Sequence, residues 1–256
     1  MTVTQRIAIQ ALPGIGEITA SSDLSLIISD ALRRSAAVVD SSSVIVIAQK
    51  IVSKSEGRQV FLDEITPSPS AMSLAALTRK DPALVEMILQ ESTEVVRARA
   101  NILIVRHRLG YVVANAGIDQ SNVGGGGRAT CLLLPQDPTS SARTIRNGLA
   151  RRLGLSPAVI IADSFGRPWR RGVVSVALAS SGLPALLDRR GHLDLHGRAL
   201  QVTEVALADA LAAAAGVVMG EGNEGTPVAL ITGGDWSAAE IDAQTLVRPL
   251  SEDLFR

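Results

Sequence analysis

Val44-Ile45-Val46-Ile47-Ala48-Gln49-Lys50-Ile51-Val52-Ser53-Lys54 is the stretch from which the fold can be read. Its first five residues are a compact β-branched run with no polar interruption, the pattern of a buried strand. The end of that strand delivers Gln49, Lys50, Ser53 and Lys54 to one place. A second continuous run, Ala158-Val159-Ile160-Ile161-Ala162, reads as a strand ending on Asp163, and Val228-Ala229-Leu230-Ile231 reads as a third. Around them, Ser21-Ser22-Asp23 caps a helix reaching through Ile28 to Leu32, and Asp81-Pro82 opens one running towards Ser92, with proline suited to a first helical turn. Residues 140–153 and 206–219 read as two further helices. Ile102-Leu103-Ile104-Val105 and Tyr111-Val112-Val113-Ala114, separated by a polar stretch ending in Gly110, form an expected hairpin. Its second strand runs into Asn115-Ala116-Gly117-Ile118-Asp119-Gln120-Ser121-Asn122. At the N-terminus, residues 1–10 alternate as a short strand before the turn Leu12-Pro13-Gly14-Ile15-Gly16. A mixed helix-and-strand globule follows; the order of strands in a sheet does not.

Composition narrows the function classes. At 256 residues the chain can bury a large core as one domain or two. With two Trp, one Tyr and three Phe, that core must be packed with Val, Ile, Leu and Ala. The 25 basic and 25 acidic side chains cancel, so no overall field holds a polyanion, and neither nucleic acid nor an acidic membrane is an expected partner. Cys131 is the single cysteine, which excludes an internal disulfide and paired-cysteine zinc sites. The N-terminus lacks the apolar stretch of a signal peptide and the longest apolar runs are too short to span a bilayer, so a cytoplasmic location is expected.

Three acids follow predicted elements: Asp119, Asp163 and Glu221. Mg²⁺ and Mn²⁺ are hard ions that take carboxylate, phosphate and water oxygens, so rigidly presented acids suit them. The pattern leaves equally open that these are helix caps or solvated loop acids. Lys54, Arg167, Arg170 and Arg171 could form an anion site beside Asp163, since arginine forks and lysine point charges both bind phosphate, although each alone reads as a surface charge. Met219-Gly220-Glu221-Gly222-Asn223-Glu224-Gly225-Thr226 ends a helix and exposes backbone N–H groups, fitting either a nucleotide contact or a plain glycine stop. Gly124-Gly125-Gly126-Gly127 lacks a phosphate-loop ending and reads as a flexible loop. His192 and His196 flank Asp194 in an alternating, hairpin-like stretch rather than on a helix, which disfavours zinc.

Taken in order, these motifs resemble the coenzyme F420 γ-glutamyl ligases, which add L-glutamate to F420-0. The resemblance is carried by Leu12-Pro13-Gly14-Ile15, by Gln49-Lys50-Ile51-Val52-Ser53-Lys54-Ser55-Glu56-Gly57-Arg58, by residues 110–123, and by Leu132-Leu133-Leu134-Pro135-Gln136-Asp137-Pro138. It continues through residues 163–172, 194–203 and 219–227, nearly the whole chain. It implies an α+β fold with a mixed sheet and two interlocked lobes, one catalytic unit over residues 1–256, working as a homodimer. It also implies GTP as co-substrate, Mg²⁺ or Mn²⁺, and K⁺ as a monovalent activator. Carried over position by position, Leu12, Pro13, Gly14, Ile15, Gln49, Lys50, Lys54, Asn122, Met219, Gly220, Glu221, Gly222, Asn223, Glu224, Gly225 and Thr226 match nucleotide contacts, and Asp119, Asp163, Ser164 and Glu221 match metal positions.

The chemistry the resemblance implies is transfer of the GTP γ-phosphoryl group to the F420-0 carboxylate, then attack by the glutamate amine on the acyl phosphate. Asp119 and Asp163, through the metal, with Lys54 and Arg167 as cationic helpers, are the expected catalytic residues. The 124–127 glycine run departs from the family, in which this loop is shorter and often acidic. The chain ends without the reductase-like domain that some relatives append, so a fused second activity is not expected. Two other readings stay open: a non-catalytic deazaflavin- or flavin-binding module, and a metal-dependent phosphohydrolase.

Overall fold

The first two apolar runs read as strands are neighbours. In the computed structural model, which describes residues 6–124, 126–236 and 239–253, Val44–Ala48 and Ala158–Arg167 pair in parallel, with Val44 opposite Ala158 and Ala48 opposite Ala162. Val228–Thr232 lies antiparallel on the other side of Val44–Ala48, with Ala8–Ala11 outside it. Arg170–Ser181 folds back antiparallel on Ala158–Arg167 and completes a five-stranded mixed sheet.

Both faces of this sheet are covered, which explains why its central strands are apolar throughout instead of alternating. Ile45, Ile47, Val159 and Ile161 meet Ile28 and Leu32 of helix Leu24–Arg34 and Ile145 and Leu149 of helix Pro138–Leu153. The intervening Val44, Val46, Ile160 and Ala162 meet Ala208, Leu211, Ala212 and Ala215 of helix Leu207–Met219. Aromatic residues are replaced here by small ones that allow close approach: a Cβ at Gly148 would sit 2.4 Å from Ser25 Oγ, so that glycine sets how tightly the first two helices pack. Helix starts follow the expected cap chemistry. Asp23 Oδ1 accepts from Leu26 N at 3.0 Å, and Asp137 Oδ1 from Ser140 N at 3.0 Å, with Pro138 in the first turn.

A separate set of buried residues packs between helices Pro69–Thr78 and Pro82–Gln90 and the three-stranded antiparallel sheet of Ser92–Arg99, Ile102–His107 and Val112–Ala114. The expected hairpin is the inner and outer strand of that sheet. Glu91, the C-cap of Pro82–Gln90, ties this region to the rest of the chain. Its carboxylate meets Arg58 Nη2 at 2.9 Å, Arg108 Nε at 3.1 Å and His107 Nε2 at 3.3 Å, and Arg58 Nε donates to Leu134 O at 3.0 Å. No helix among the described residues is long and apolar enough to cross a membrane.

Several expectations need correction. Asp163 does not end its strand: the strand runs on to Arg167, and Asp163 pairs with Val176 of the returning strand. Its second half looked polar because it leaves the core; hydrogen bonding to Arg170–Ser181, a strand the pattern did not suggest, keeps it extended. Gln49–Ser55 is a short helix springing directly from Val44–Ala48. Asp119 follows its strand only after the tight turn Asn115–Gly117. Of the 124–127 glycines, Gly125 lies outside the described residues, as do residues 1–5 of the expected N-terminal strand. His192 and His196 are exposed on a bridged turn, with Leu193 opposite Ala199 and Asp194 accepting from His196 N at 2.8 Å.

Candidate active site

The C-terminal ends of the parallel strands Val44–Ala48 and Ala158–Arg167 open on one side of the sheet, the usual place for a ligand crevice in such sheets. There a cleft of about 560 Å³ is lined by Gln49, Lys50 and Lys54 from the short helix, Asp163 and Ser164 from the long strand, Asp119, Ser121 and Asn122 from the crossing segment, and the 219–226 loop.

Backbone shape fixes the crossing segment. Asn115, Ala116 and Gly117 all have positive φ (53°, 56° and 67°), and a Cβ on Gly117 would lie 2.8 Å from Leu134 Cδ1. A left-handed alanine costs about 1–2 kcal/mol, so packing over-determines this turn. Asp119 is then clamped by its backbone: its N–H donates to Leu132 O at 3.0 Å and its C=O accepts from Leu132 N at 2.8 Å. The side chain projects into the cleft. One carboxylate oxygen accepts from Ser121 N (2.8 Å) and Ser121 Oγ (2.7 Å), and the other meets Lys50 Nζ at 2.6 Å. Burial disfavours the charge on Asp119, but the Lys50 ammonium and the Ser121 donors outweigh it and hold the carboxyl below its ordinary range. Asn122 Nδ2 reaches across to Gly222 O at 3.1 Å and ties the segment to the 219–226 loop.

That loop leaves helix Leu207–Met219 through Gly220, whose φ of +76° and proximity to the Glu224 carboxylate leave no room for a side chain. Thr226 Oγ1 donates to Met219 O at 3.0 Å, and Gly222 N to Glu224 Oε2 at 2.8 Å. Across from it Ser164 Oγ donates to Glu221 Oε1 at 2.5 Å. Gln49 is almost fully buried; its Oε1 accepts from Ser53 Oγ at 2.9 Å while its Nε2 has no partner, a donor held ready at the cleft wall. Lys54 Nζ rests 2.8 Å from Glu17 Oε1.

Five carboxylates, Glu17, Asp119, Asp163, Glu221 and Glu224, face two lysines in this cleft. Asp163 feels the imbalance most. Burial, with the nearby Asp119 and Glu221 charges, pushes its carboxyl up to about 7 against the opposing pull of Ser164 N–H and Lys50. Among the described residues no three His, Cys, Asp or Glu side chains converge as a ready-made metal cage. The donors still fit a hard divalent ion. Such ions are held by one or two carboxylates with phosphate and water completing the shell, and a cleft with excess negative charge can take a polyphosphate only with cations between.

Comparison with known proteins agrees with this architecture. Residues 14–233 match the family model described as F420-0:Gamma-glutamyl ligase. The chain belongs to the F420-0:gamma-glutamyl ligase family. It is 44% identical over 252 residues to the coenzyme F420:L-glutamate ligase of Methanothermobacter thermautotrophicus, covering 98% of both chains. The same-named protein of Methanopyrus kandleri is 42% identical with 97% of both covered, and that of Methanocaldococcus jannaschii is 44% identical over 85% of this chain and 86% of its own.

Of the positions matched to this ligase family, Gln49, Lys50, Lys54, Asn122, Asp119, Asp163, Ser164 and the run from Met219 to Thr226 all line one cleft. Leu12 and Ile15 do not: they are buried in the core, with Pro13 and Gly14 exposed between them and Gly16 and Glu17 reaching the cleft instead. Arg167 lies at the tip of the β-hairpin, on a neighbouring hollow. The residue with the strongest unassigned role is Ser121, whose two bonds to Asp119 follow the Asp-x-Ser spacing of a side-chain turn and were open to a closer reading. Glu17 carried no signal.

Because Asp119 is anchored through its backbone, Asp119→Asn should leave the fold intact, with a Tm within a few degrees of wild type. It should weaken Mn²⁺ binding by roughly tenfold or more, as removal of a charged oxygen ligand does. Calorimetric metal titration of the two proteins checks this; equal affinities would remove Asp119 from the metal set.

Proposed function

We propose that this protein joins L-glutamate to coenzyme F420-0 at the expense of GTP, through an acyl phosphate. The near-full-length match to relatives named coenzyme F420:L-glutamate ligase supports the reaction, and the composition of the cleft supports the residue roles. The problem such a ligase must solve is that a carboxylate is a poor electrophile. Transfer of the γ-phosphoryl group to a carboxylate oxygen breaks the bond between the γ-phosphorus and the β–γ bridging oxygen, releases GDP and converts the carboxylate into a mixed anhydride. The glutamate amine then attacks the acyl carbon, loses a proton, and expels phosphate as the amide forms.

The chain's residues divide this work. The 219–226 loop and Gln49 Nε2 offer donors to the nucleotide; Lys50 and Lys54 supply point charges to its phosphates. Asp119, Asp163, Ser164 and Glu221 would hold Mg²⁺ or Mn²⁺, whose charge offsets that of the transferring phosphoryl group. K⁺ as an activator and a homodimeric state belong to the same reading. Arg167 lines the neighbouring hollow and not the cleft, so this reading gives it no step in the phosphoryl transfer.

The test is dependence. With Mn²⁺ and GTP, phosphate release should require both F420-0 and glutamate, and hydroxylamine added without glutamate should trap an F420-0 hydroxamate. Phosphate release indifferent to both substrates would mark a phosphohydrolase instead; tight F420-0 binding without GTP turnover would mark a carrier module.

A further inference from the structure

Beside the cleft lies a second and larger hollow, of about 970 Å³, with mostly apolar walls. Its size sits at the upper end for small-molecule sites, and apolar walls with a few placed polar groups are their usual composition. One strand serves both spaces. Asp163 and Ser164 line the cleft, Phe165 and Arg167 line the hollow, and Val173 of the returning strand borders both. With alternate residues about 7 Å apart along a strand, Asp163 and Phe165 are neighbours on one face. A ligand can therefore lie in the hollow and extend its end to the cleft acids without leaving the protein surface.

The hollow suits a flat aromatic. Tyr111 and Phe165 meet edge to face at its base, with centroids 6.0 Å apart, and Tyr111 is fixed by its hydroxyl donating to Leu178 O at 2.7 Å. Trp169, 81% exposed at the hairpin tip with a φ of +58°, stands at the rim, and Val112 and Val173 expose apolar surface (45% and 53%) towards the same space. The charged lining is mainly cationic, Arg106, Arg167, Arg170 and Arg248 against Asp209 and Asp253, and Arg167 Nε is buried without a hydrogen-bond partner.

Resting on the ligase reading above, we infer that this hollow binds the tricyclic deazaflavin ring of the acceptor, with the arginines steering its anionic tail across Val173 into the cleft. The juxtaposition also gives Arg167 a binding role in place of a catalytic one. A ring stacked on aromatic and aliphatic walls gains from area and from edge or face contacts, and Arg167, held by Nη2 donating to Arg171 O at 3.2 Å, keeps its Nε donor available to an anion.

The test uses the full chain, with F420-0 as the probe. On adding F420-0 to wild type, amide hydrogen exchange should slow at residues 110–114 and 165–173. Trp169→Ala, at an exposed site, and Val112→Trp, which fills the hollow from its edge, should each weaken F420-0 binding roughly tenfold or more in a fluorescence titration while leaving Mn²⁺–GTP affinity within about twofold. Protection confined to the cleft, or unchanged F420-0 affinity in both variants, overturns the inference. So does a change of oligomeric state with F420-0 affinity intact, which would make the hollow a contact between copies. If wild type binds no F420-0 at all, the ligase reading itself fails, an outcome distinct from these.

Discussion

Asp163→Asn is expected to make the metal-free protein more stable at pH 8 while removing nearly all of its turnover. In wild type the folded-state carboxyl is raised to about 7 from an ordinary 3.8, by burial first and by the Asp119 and Glu221 charges next. The folded state therefore binds a proton more tightly than the unfolded chain. The stability this lends is full below about 3.8 and is lost as pH rises through 7, so at pH 8 wild type carries an ionised, crowded carboxylate. Asparagine has the same shape without that charge. Relief of on the order of 1–3 kcal/mol corresponds to a rise in Tm of roughly 3–10 °C at this chain length, vanishing near pH 4. Metal-dependent turnover should fall by roughly 10²–10³, the scale of losing a charged group that acts on the transferring phosphoryl group. Thermal melts at pH 4 and pH 8 without metal, beside single-turnover kinetics with Mn²⁺, check both halves. A variant less stable than wild type at pH 8 would mean that Asp163 is a structural anion.

Glu91→Ala should have the opposite character: large loss of stability, little specific effect on the site. Glu91 is 8% exposed, and its carboxylate answers three cationic or potentially cationic partners. Burial raises its pKa, but the His107 hydrogen bond and the Arg58 and Arg108 charges prevail and pull it to about 2. Its contribution is thus present above about 4.5 and lost as pH falls through 2. Truncation takes a shared anion from the half-buried Arg58 and the more exposed Arg108, and losing charged hydrogen bonds of this kind typically costs about 1.5–3 kcal/mol, or roughly 3–12 °C in Tm. Nucleotide affinity of the protein that remains folded should stay near wild type. A Tm drop of under about 2 °C at pH 7 would show the cluster to be a solvated surface network.

The contrast between these two acids shows what the sequence could and could not convey. Val44–Ala48 and the apolar first half of Ala158–Arg167 announced themselves because burial on both faces leaves one chemical solution, a β-branched run. Two helices announced themselves through Asp23 and through Asp81 with Pro82 after it, residues 140–153 and 206–219 were also read as helices, and Pro69–Thr78 was not. Strand order could not be read, since nothing local in Ala8–Ala11 names Val228–Thr232 as its partner. The polar second half of the long strand was missed because its extended shape comes from pairing with Arg170–Ser181, which nothing local in residues 163–167 announces. Asp163 was recognised as a chemically useful acid, but its pKa is set first by burial and then by Asp119 and Glu221, which only the closed sheet and the 219–226 loop bring about. Glu91 drew no notice, because its partners Arg58 and His107 are near it only in space. The cleft residues matched through the family resemblance converge where local chemistry is strong, as at Lys50 and Asn122; Leu12, Ile15 and Arg167 stand outside it.

The central claim is amide formation between glutamate and F420-0 in the cleft that holds Asp119, Asp163 and Lys50. Mass spectrometry of F420-0 incubated with the protein, GTP, Mn²⁺ and L-glutamate tests it most directly. The account predicts product heavier by one glutamyl residue, or a ladder of such additions, formed with stoichiometric GDP and phosphate and formed roughly 10²–10³-fold more slowly with Asp163→Asn. F420-0 of unchanged mass after GTP has been consumed, or with GTP left intact, would contradict it.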